Sequence, residues 1–436
     1  MRYRIHAVGR LTGGAEVPGD KSVSHRAALL GALADGPTEI HGFLESEDCL
    51  RTIAAVQALG ADVTRKGPGH YRIQGAGRHA LHEPDDVIDC GNSGTTARLL
   101  LGVLAGQPFW TMLTGDASLR RRPMARVAEP LHRMGVTVVG RADGTRLPLA
   151  VRGATSLRGG EFVTPVASAQ VKSAILLAAL RADGRTTVRE SVATRDHTER
   201  MLRARGIRVE IVDGPDGGVA VSLEGGSAVL ALSERVPGDV SAAAFWLVAG
   251  SIHPDAELTL RGVGVNPTRR AVVDILRSMG ASIDERADAA AVEGGEPVAD
   301  LIVRSRDLNA VDLGPRDVAG AIDEIPVLCL AAALANGTTT IRGAGELRHK
   351  ESDRIAGIAA GLNALGARVE VDGDDITIHG GTRLRGAATN SLDDHRLAMT
   401  FAVAGLVAQG ATVVGRPGSA SISYPAFFTD LEGVRA

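Results

Sequence analysis

Cysteine is scarce in this chain: Cys49, Cys90 and Cys329 are isolated, odd in number and lack any C-x-x-C spacing. That excludes a disulfide framework and a zinc site of the usual ligand spacing, and leaves reduced thiols. Aromatic residues make up only 3% of the sequence, which leaves few surfaces on which nucleic acid bases could stack. Charge of one sign is not in excess either, since 48 Lys and Arg face 51 Asp and Glu for a net charge of -3. Without a basic surplus, nucleic acid is not an expected partner, and any basic site must be local. Long apolar runs are missing as well. The stretch 327–335 falls far short of the roughly 18 residues that cross a bilayer, so no membrane partner is expected. The opening Met-Arg-Tyr-Arg-Ile-His contains no apolar signal region, and a cytoplasmic location is the default expectation.

What remains is a globular composition, 44% hydrophobic and 23% charged, over 436 residues, long enough for two or three domains. The chain repeats itself. A helix-like run ends in Gly followed by an extended segment at Leu59-Gly60-Ala61, Met134-Gly135-Val136, Arg205-Gly206-Ile207, Met279-Gly280-Ala281 and Leu365-Gly366-Ala367, with a looser copy at Glu432-Gly433-Val434. These glycines recur at intervals of 75, 71, 74, 86 and 67 residues, close to one sixth of the chain. Each unit also holds an earlier, more apolar helix, as at 27–34 and 174–180, followed by a Gly turn and a β-branched run. The other four copies begin near Thr95, Ser241, Glu324 and His395. Mixed 3.6-residue and 2-residue periods at this spacing predict six α/β units, read most simply as two lobes of three, with a crossover between lobes around 233–239.

Polar residues gather just before the apolar helices: Lys21-Ser22-Val23-Ser24-His25-Arg26, Asn92-Ser93-Gly94-Thr95, Ser168-Ala169-Gln170, Gly238-Asp239-Val240-Ser241, Asp323-Glu324 and Asp394-His395-Arg396. Singly, such Ser, Asn and Asp residues read as N-caps. As a set they present exposed N–H groups and positive helix ends, which suit phosphates and carboxylates, so the inferred substrate class is a small anionic molecule. Gly14 and Gly19 have P-loop spacing, but Asp20 separates Gly19 from Lys21 and Pro18 removes a backbone donor, so a nucleotide-binding kinase does not fit. In Lys350-Glu351-Ser352-Asp353-Arg354, a continuous helix would put Lys350 and Arg354 on one face with Glu351 near them, whereas a solvated charged face is the plain reading. Of Arg120, Arg121 and Arg122, at least two are expected to be surface charge.

The motifs PGDKSVSHR at 18–26, GNSGTTAR at 91–98, RPM at 122–124, SAQVK at 168–172, GDVSAAAF at 238–245, KESDR at 350–354, DDHRLAM at 393–399 and SYPAFF at 423–428 occur in register. Together they resemble the 5-enolpyruvylshikimate-3-phosphate synthase family over about residues 10–430. SAQVK, RDHTE at 195–199 and NPTR at 266–269 resemble its class II subgroup, many members of which tolerate glyphosate. Gly94 points the other way, because some tolerant members carry Ala there. The resemblance implies an α/β fold of two lobes, each of three βαβαββ units, an inverse α/β barrel. One lobe would comprise 1–18 and 236–436, the other 19–235.

The resemblance further implies transfer of the enolpyruvyl group of phosphoenolpyruvate to the 5-hydroxyl of shikimate 3-phosphate, in chorismate and aromatic amino acid biosynthesis, without cofactor or metal and in a monomer. It maps proton transfer onto Asp323 and Glu351, with Lys21 assisting and Asp323 as the base. It places Lys21, Arg122, Lys350, Arg354 and Arg396 on phosphoenolpyruvate, with Gly94 and Gln170 nearby. Ser22, Arg26, Ser168, Ala169, Gln170 and Arg195 would meet shikimate 3-phosphate, and Asn92 and Thr95 would stand at a helix start facing ligand. Read without the family, Asp323 is a helix cap. One departure is Ile422, where many members carry a Lys two residues before the aromatic-Pro pair. The related UDP-N-acetylglucosamine enolpyruvyl transferase carries Lys-Asn where this chain has Lys21-Ser22, and usually a reactive loop Cys that 116–124 lacks. A catalytically silent anion-binding protein of the same fold would not need both Asp323 and Glu351.

Overall fold

The computed structural model describes residues 2–77, 81–164, 166–214, 217–287 and 295–435. Six segments with almost no polar stripe form helices: Lys21–Leu33, Gly94–Leu104, Ala169–Ala179, Val240–Ile252, Ile325–Leu334 and His395–Gly405. A helix that is apolar all round must be buried all round. In the first of them every residue from Val23 to Leu33 is buried, and in the fourth every residue from Val240 to Ser251. A second set, Glu47–Ala58, Ala125–Met134, His197–Ala204, Ala271–Ser278, Arg354–Ala364 and Phe427–Gly433, mixes buried and exposed positions. Each of the first five packs on the strand that follows it.

The strands follow one plan. Ile88–Asp89 runs parallel to Trp110–Thr114, which pairs antiparallel with Leu149–Arg152, which pairs antiparallel with Thr137–Gly140. The same order recurs in Glu161–Val163, Arg185–Glu190, Val219–Glu224 and Val209–Asp213, and in Asp312–Leu313, Thr338–Ile341, Asp375–His379 and Arg368–Asp372. Two further sheets take their first strand from far along the chain: Ser233–Arg235 joins Asp35–His41, and Leu11–Ala15 joins Ala256–Gly264, both in parallel. The last sheet has three strands, Ala388–Asn390 parallel to Ala411–Gly415, with the N-terminal Arg2–His6 antiparallel to the latter. The three sheets built from one stretch of chain are thus βαβαββ units, in which the parallel neighbours are joined through a buried helix because a parallel pair needs a crossover.

By backbone contacts the described residues fall into two compact units, one drawn from Met1–Pro18, Gly238–Ala290 and Pro297–Ala436, the other from Gly19–Pro237 and Ala291–Glu296. They are called here the first and second unit. Each has its own hydrophobic core around three of the buried helices. Trp246 anchors the first, its indole N–H donating to Tyr424 Oη at 3.2 Å and its ring 5.4 Å from that of Phe427. The second relies on close backbone approach: a methyl group at Gly102 would lie 2.3 Å from the carbonyl oxygen of Ala174 in the neighbouring buried helix. Among the described residues, no helix is long and apolar enough to cross a membrane. All three cysteines are free and buried, and burial pushes each thiol up to about 12.

The repeat glycines have a common cause. Gly60, Gly135, Gly206, Gly280 and Gly366 all end an outer helix with φ between +79° and +106°, the left-handed turn that only glycine makes without strain. Gly433, the looser copy, belongs instead to the last turn of Phe427–Gly433.

In the second unit a chain of hydroxyls ties three helices together. His25 Nδ1 lies 2.6 Å from Thr52 Oγ1, which lies 2.7 Å from Thr96 Oγ1, which donates to Ser93 Oγ at 2.7 Å. His25 is fully buried, and burial, with Lys21 and Arg26 adding repulsion, holds its pKa well below the ordinary 6.5.

Three substitutions test this packing. Helix propensity alone favours Gly102→Ala by about 1 kcal/mol. The clash with the Ala174 backbone reverses the sign, and denaturant titration is expected to show a loss of about 1–3 kcal/mol. Gly433→Ala, in a last helical turn with nothing within 4 Å, meets no clash and should stabilise by up to about 1 kcal/mol. His25 stays neutral when folded and binds a proton below 6.5 when unfolded, so stability falls as pH drops below 6.5 and levels off above it. Its contribution to that slope is at most about 1.4 kcal/mol per pH unit, and unfolding titrations of His25→Asn should be flatter than wild type by no more than that.

Candidate active site

In the second unit, three helix N-termini carry the polar residues that the sequence singles out. Asp20 caps Lys21–Leu33 by accepting from Val23 N at 2.8 Å, which leaves Lys21 at the first helical position, where its Nζ meets Asp48 Oδ2 at 2.5 Å. One turn on, Arg26 is buried and its fork is fully engaged: Nε donates to Thr198 Oγ1 at 2.7 Å, Nη2 to Ser173 Oγ at 2.7 Å and Nη1 to the Ser22 carbonyl at 2.9 Å. All three acceptors are neutral. Burial lowers the guanidinium to about 10, against the pull of Glu199 and with Arg195 adding like charge.

The cap of Gly94–Leu104 is Ser93, whose Oγ accepts from Thr96 N at 3.1 Å. Asn92 is therefore released from capping. Its Nδ2 donates to Asp116 Oδ2 at 2.6 Å and its Oδ1 accepts from Arg122 Nη2 at 2.6 Å. Arg122 is the one partly buried member of the Arg120–Arg122 run; Arg120 and Arg121 are exposed. Gln170 sits in the first turn of Ala169–Ala179 and bridges back, its Oε1 accepting from Arg98 Nη1 at 2.8 Å and its Nε2 donating to Thr95 Oγ1 at 3.0 Å. Gly94 lies between two guanidinium groups: a Cβ there would sit 2.8 Å from Arg98 Nη1 and 3.4 Å from Arg122 Nη1. Ser168 is the N-cap of Ala169–Ala179 without a side-chain cap bond, and the Ala169 carbonyl accepts from Ser173 Oγ at 2.6 Å. Arg195 lies in the loop between Arg185–Glu190 and His197–Ala204.

The first unit gathers carboxylates instead. Arg354 is 1% exposed, with Nη2 donating to Glu351 Oε2 at 2.5 Å, Nε to Asp394 Oδ2 at 2.8 Å and Nη1 to Asp323 Oδ1 at 3.3 Å. Lys350 Nζ lies 3.6 Å from the same Asp323 oxygen. Burial opposes the charge of Arg354, but Glu351, Asp394 and Asp323 outweigh it and hold the guanidinium above its ordinary value. Asp394 also caps His395–Gly405, accepting from Arg396 N at 2.8 Å. Arg396 itself is buried, its Nη1 3.4 Å from the Ser241 carbonyl and 3.5 Å from Glu324 Oε1.

Two readings of the sequence change here. The 350–354 segment is not a continuous helix. A 3₁₀ turn, Gly345–His349, ends at Lys350, and Asp353 starts a new helix by accepting from Ala356 N at 3.0 Å. Lys350 and Arg354 still converge, on Asp323 rather than on a shared helix face. The cap position of Ile325–Leu334 is Glu324, not Asp323, whose carboxylate faces Lys350 and Arg354. Ile422 ends the 3₁₀ turn Pro417–Ile422.

Four residues with no role assigned from sequence belong to these clusters: Arg98, Lys172, Glu324 and Asp394. A signal existed for Lys172, because a lysine inside an otherwise apolar helix needs a buried counter-charge. Glu324, also buried, accepts a hydrogen bond from Ser241 Oγ, and Arg269 Nη2 donates to the same hydroxyl at 2.6 Å. Among the described residues, no group of three or more His, Cys, Asp and Glu could hold a metal ion.

The clusters differ in kind. Arg26, Arg98 and Arg122 donate to neutral acceptors, so their charge remains available to an anion. Burial, with Arg122 and Arg126 nearby, lowers Arg98 to about 10. The cations of the first unit are matched by carboxylates, an arrangement that binds acids and can also move protons.

Comparison with known proteins places the chain in a family. The family model described as EPSP synthase (3-phosphoshikimate 1-carboxyvinyltransferase) matches residues 5–431. A 3-phosphoshikimate 1-carboxyvinyltransferase of Gloeobacter violaceus is 53% identical over 436 residues, 99% of each chain. One from a Roseiflexus species is 52% identical over 435 residues, 100% of this chain and 99% of that one. The solved EPSP synthase of Acinetobacter baumannii superposes with a TM-score of 0.89 at 41% identity, covering 100% of this chain and 98% of its own. On sequence and fold together, the chain belongs to the EPSP synthase family.

Proposed function

We propose that the second unit holds shikimate 3-phosphate, and that the carboxylate cluster of the first unit carries the proton transfers of the enolpyruvyl transfer. The family's reaction joins the 5-hydroxyl oxygen of shikimate 3-phosphate to C2 of phosphoenolpyruvate while C3 gains a proton, giving a tetrahedral intermediate. The C2–O bond to phosphate then breaks, C3 gives up a proton and the methylene is restored. Each half needs a proton acceptor and a proton donor, and cations to hold phosphate and carboxylate.

Asp323 is the base for the hydroxyl, supported by its seating between Lys350 and Arg354, which hold the carboxylate in one orientation. Glu351, braced by Arg354, serves the proton at C3, and Lys21 assists as a point charge at a helix start. Lys350, Arg354, Arg396 and Arg122 take the phosphate and carboxylate of phosphoenolpyruvate, with Gly94 keeping the space beside Arg122 open. Arg26, Arg195, Ser22, Ser168, Ala169 and Gln170 take shikimate 3-phosphate, with Asn92 orienting Arg122. Acting on two small acids, the enzyme would work as a cytoplasmic monomer without a nucleic acid or membrane partner. The observation that carries this assignment is the contrast between guanidinium groups on neutral acceptors in one unit and a carboxylate–guanidinium cluster in the other.

Phosphate release from phosphoenolpyruvate tests the reading directly. It is expected with shikimate 3-phosphate and not with UDP-N-acetylglucosamine; release only with the sugar nucleotide, or with neither, would reject it. Asp323→Asn should lower kcat by roughly 10²–10⁴-fold. The KM for phosphoenolpyruvate should hold or fall, because Lys350 and Arg354 lose a neighbouring negative charge. An unchanged kcat would remove Asp323 from the role of base.

A further inference from the structure

Beside the residues assigned to shikimate 3-phosphate in the chain lies a cluster of buried charges. Lys172, 1% exposed, extends from Ala169–Ala179 to Glu190 Oε2 at 2.7 Å and Glu199 Oε1 at 2.8 Å, both carboxylates themselves buried. Its third contact is the Thr194 carbonyl at 3.3 Å. Thr194 is bound from the other side too, its Oγ1 donating to Glu190 Oε1 at 2.6 Å and its N–H to Glu190 Oε2 at 3.3 Å. The next residue is Arg195. Glu199 stands one position after Thr198, which accepts from Arg26 Nε, and Ser173, next to Lys172, accepts from Arg26 Nη2. Ser173 and Thr198 hydroxyls are in turn 2.7 Å apart.

We propose that Lys172 is a positioning residue for shikimate 3-phosphate: by clamping Glu190, Glu199 and the Thr194 carbonyl, it fixes the loop that presents Arg195 and the two hydroxyls that orient Arg26. The inference rests on the assignment of Arg26 and Arg195 to shikimate 3-phosphate. Its geometry follows from connectivity. One ammonium joins a helix start (168–173), a strand end (Glu190), a loop (Thr194) and a helix start (Glu199), and the side chains that meet the substrate leave from these segments. Its charge is consistent with a fixed clamp. Burial opposes the ammonium, but Glu199 and Glu190 outweigh it and raise Lys172 above its ordinary value, while burial raises Glu199 despite Lys172. The surrounding charges are Arg26, Arg195, Asp196 and Glu296, so two buried cations, Lys172 and Arg26, stand against two buried carboxylates, Glu190 and Glu199.

Removing Lys172 alone leaves two buried carboxylates facing each other, and Lys172→Met is expected to misfold. The charge-balanced Lys172→Met/Glu199→Gln variant removes one charge of each sign and leaves Arg26 against Glu190, and it carries the test. Calorimetric titration of shikimate 3-phosphate into the full chain would compare wild type, Arg195→Ala and this double variant, with circular dichroism reporting the fold and steady-state kinetics giving the KM for phosphoenolpyruvate. The double variant is expected to bind shikimate 3-phosphate roughly tenfold or more weakly, as displaced positioning groups do, with the KM for phosphoenolpyruvate unchanged. Wild-type affinity in the folded double variant would overturn the proposal, leaving Lys172 a charge-balancing element of the core. Equal losses for both substrates would overturn it as well, because a general loosening would explain them. If Arg195→Ala leaves shikimate 3-phosphate affinity intact, the site assignment itself falls and the inference with it, an outcome separable from the first because it is read on Arg195 alone.

Discussion

Cations held out of water need a counter-charge or a set of neutral acceptors, and the character of each buried cation here follows from which of the two it is given. A guanidinium group withdrawn into a protein core loses hydration worth several kcal/mol. Arg354 recovers it from Glu351, Asp394 and Asp323, all within 3.3 Å, and Lys172 from Glu190 and Glu199. Arg26 is given hydroxyls and a carbonyl instead, and burial lowers it to about 10. A cation satisfied by carboxylates also fixes the orientation of those carboxylates. One satisfied only by neutral acceptors gains most when an anionic ligand arrives.

The six-fold repeat explains how such groups come to be concentrated. Each βαβαββ unit places one apolar helix in a core, and the residues at that helix's N-terminus emerge where the core ends. Caps from Asp20, Ser93, Asp239 and Asp394 consume one acceptor each and fix where the helix begins. Nearby residues are then freed for chemistry: Lys21 beside Asp20, Asn92 beside Ser93, Arg396 two positions after Asp394. The repeat supplies the frame, and the departures from it supply the site.

Much of this was legible in the linear chain. Glycine spacing marked six units because the left-handed turn at Gly60, Gly135, Gly206, Gly280 and Gly366 admits little else, and the absence of polar stripes marked the buried helices. The exchange of Ser233–Arg235 and Leu11–Ala15 into distant sheets was not legible from the residues themselves, since strands of three and five residues, Ser-Glu-Arg and Leu-Thr-Gly-Gly-Ala, carry no address. At the site, residue type and position suggested anion binding, but the local pattern misled at 350–354. Helical spacing there implied a common face, whereas Asp353 caps a new helix and the convergence on Asp323 arises through space.

The amino-acid sequence by itself determined the number of repeats, the burial of six helices and the polar character of their N-termini, because these depend on periodicity and on backbone preferences that act over a few residues. Tertiary structure alone decided which carboxylate answers which cation. Asp394 lies 40 residues from Arg354, and Glu199 lies 27 residues from Lys172, so no local rule could pair them. The pairing was settled by desolvation: once packing excluded water from those side chains, each buried charge could persist only where the fold brought it an opposite one.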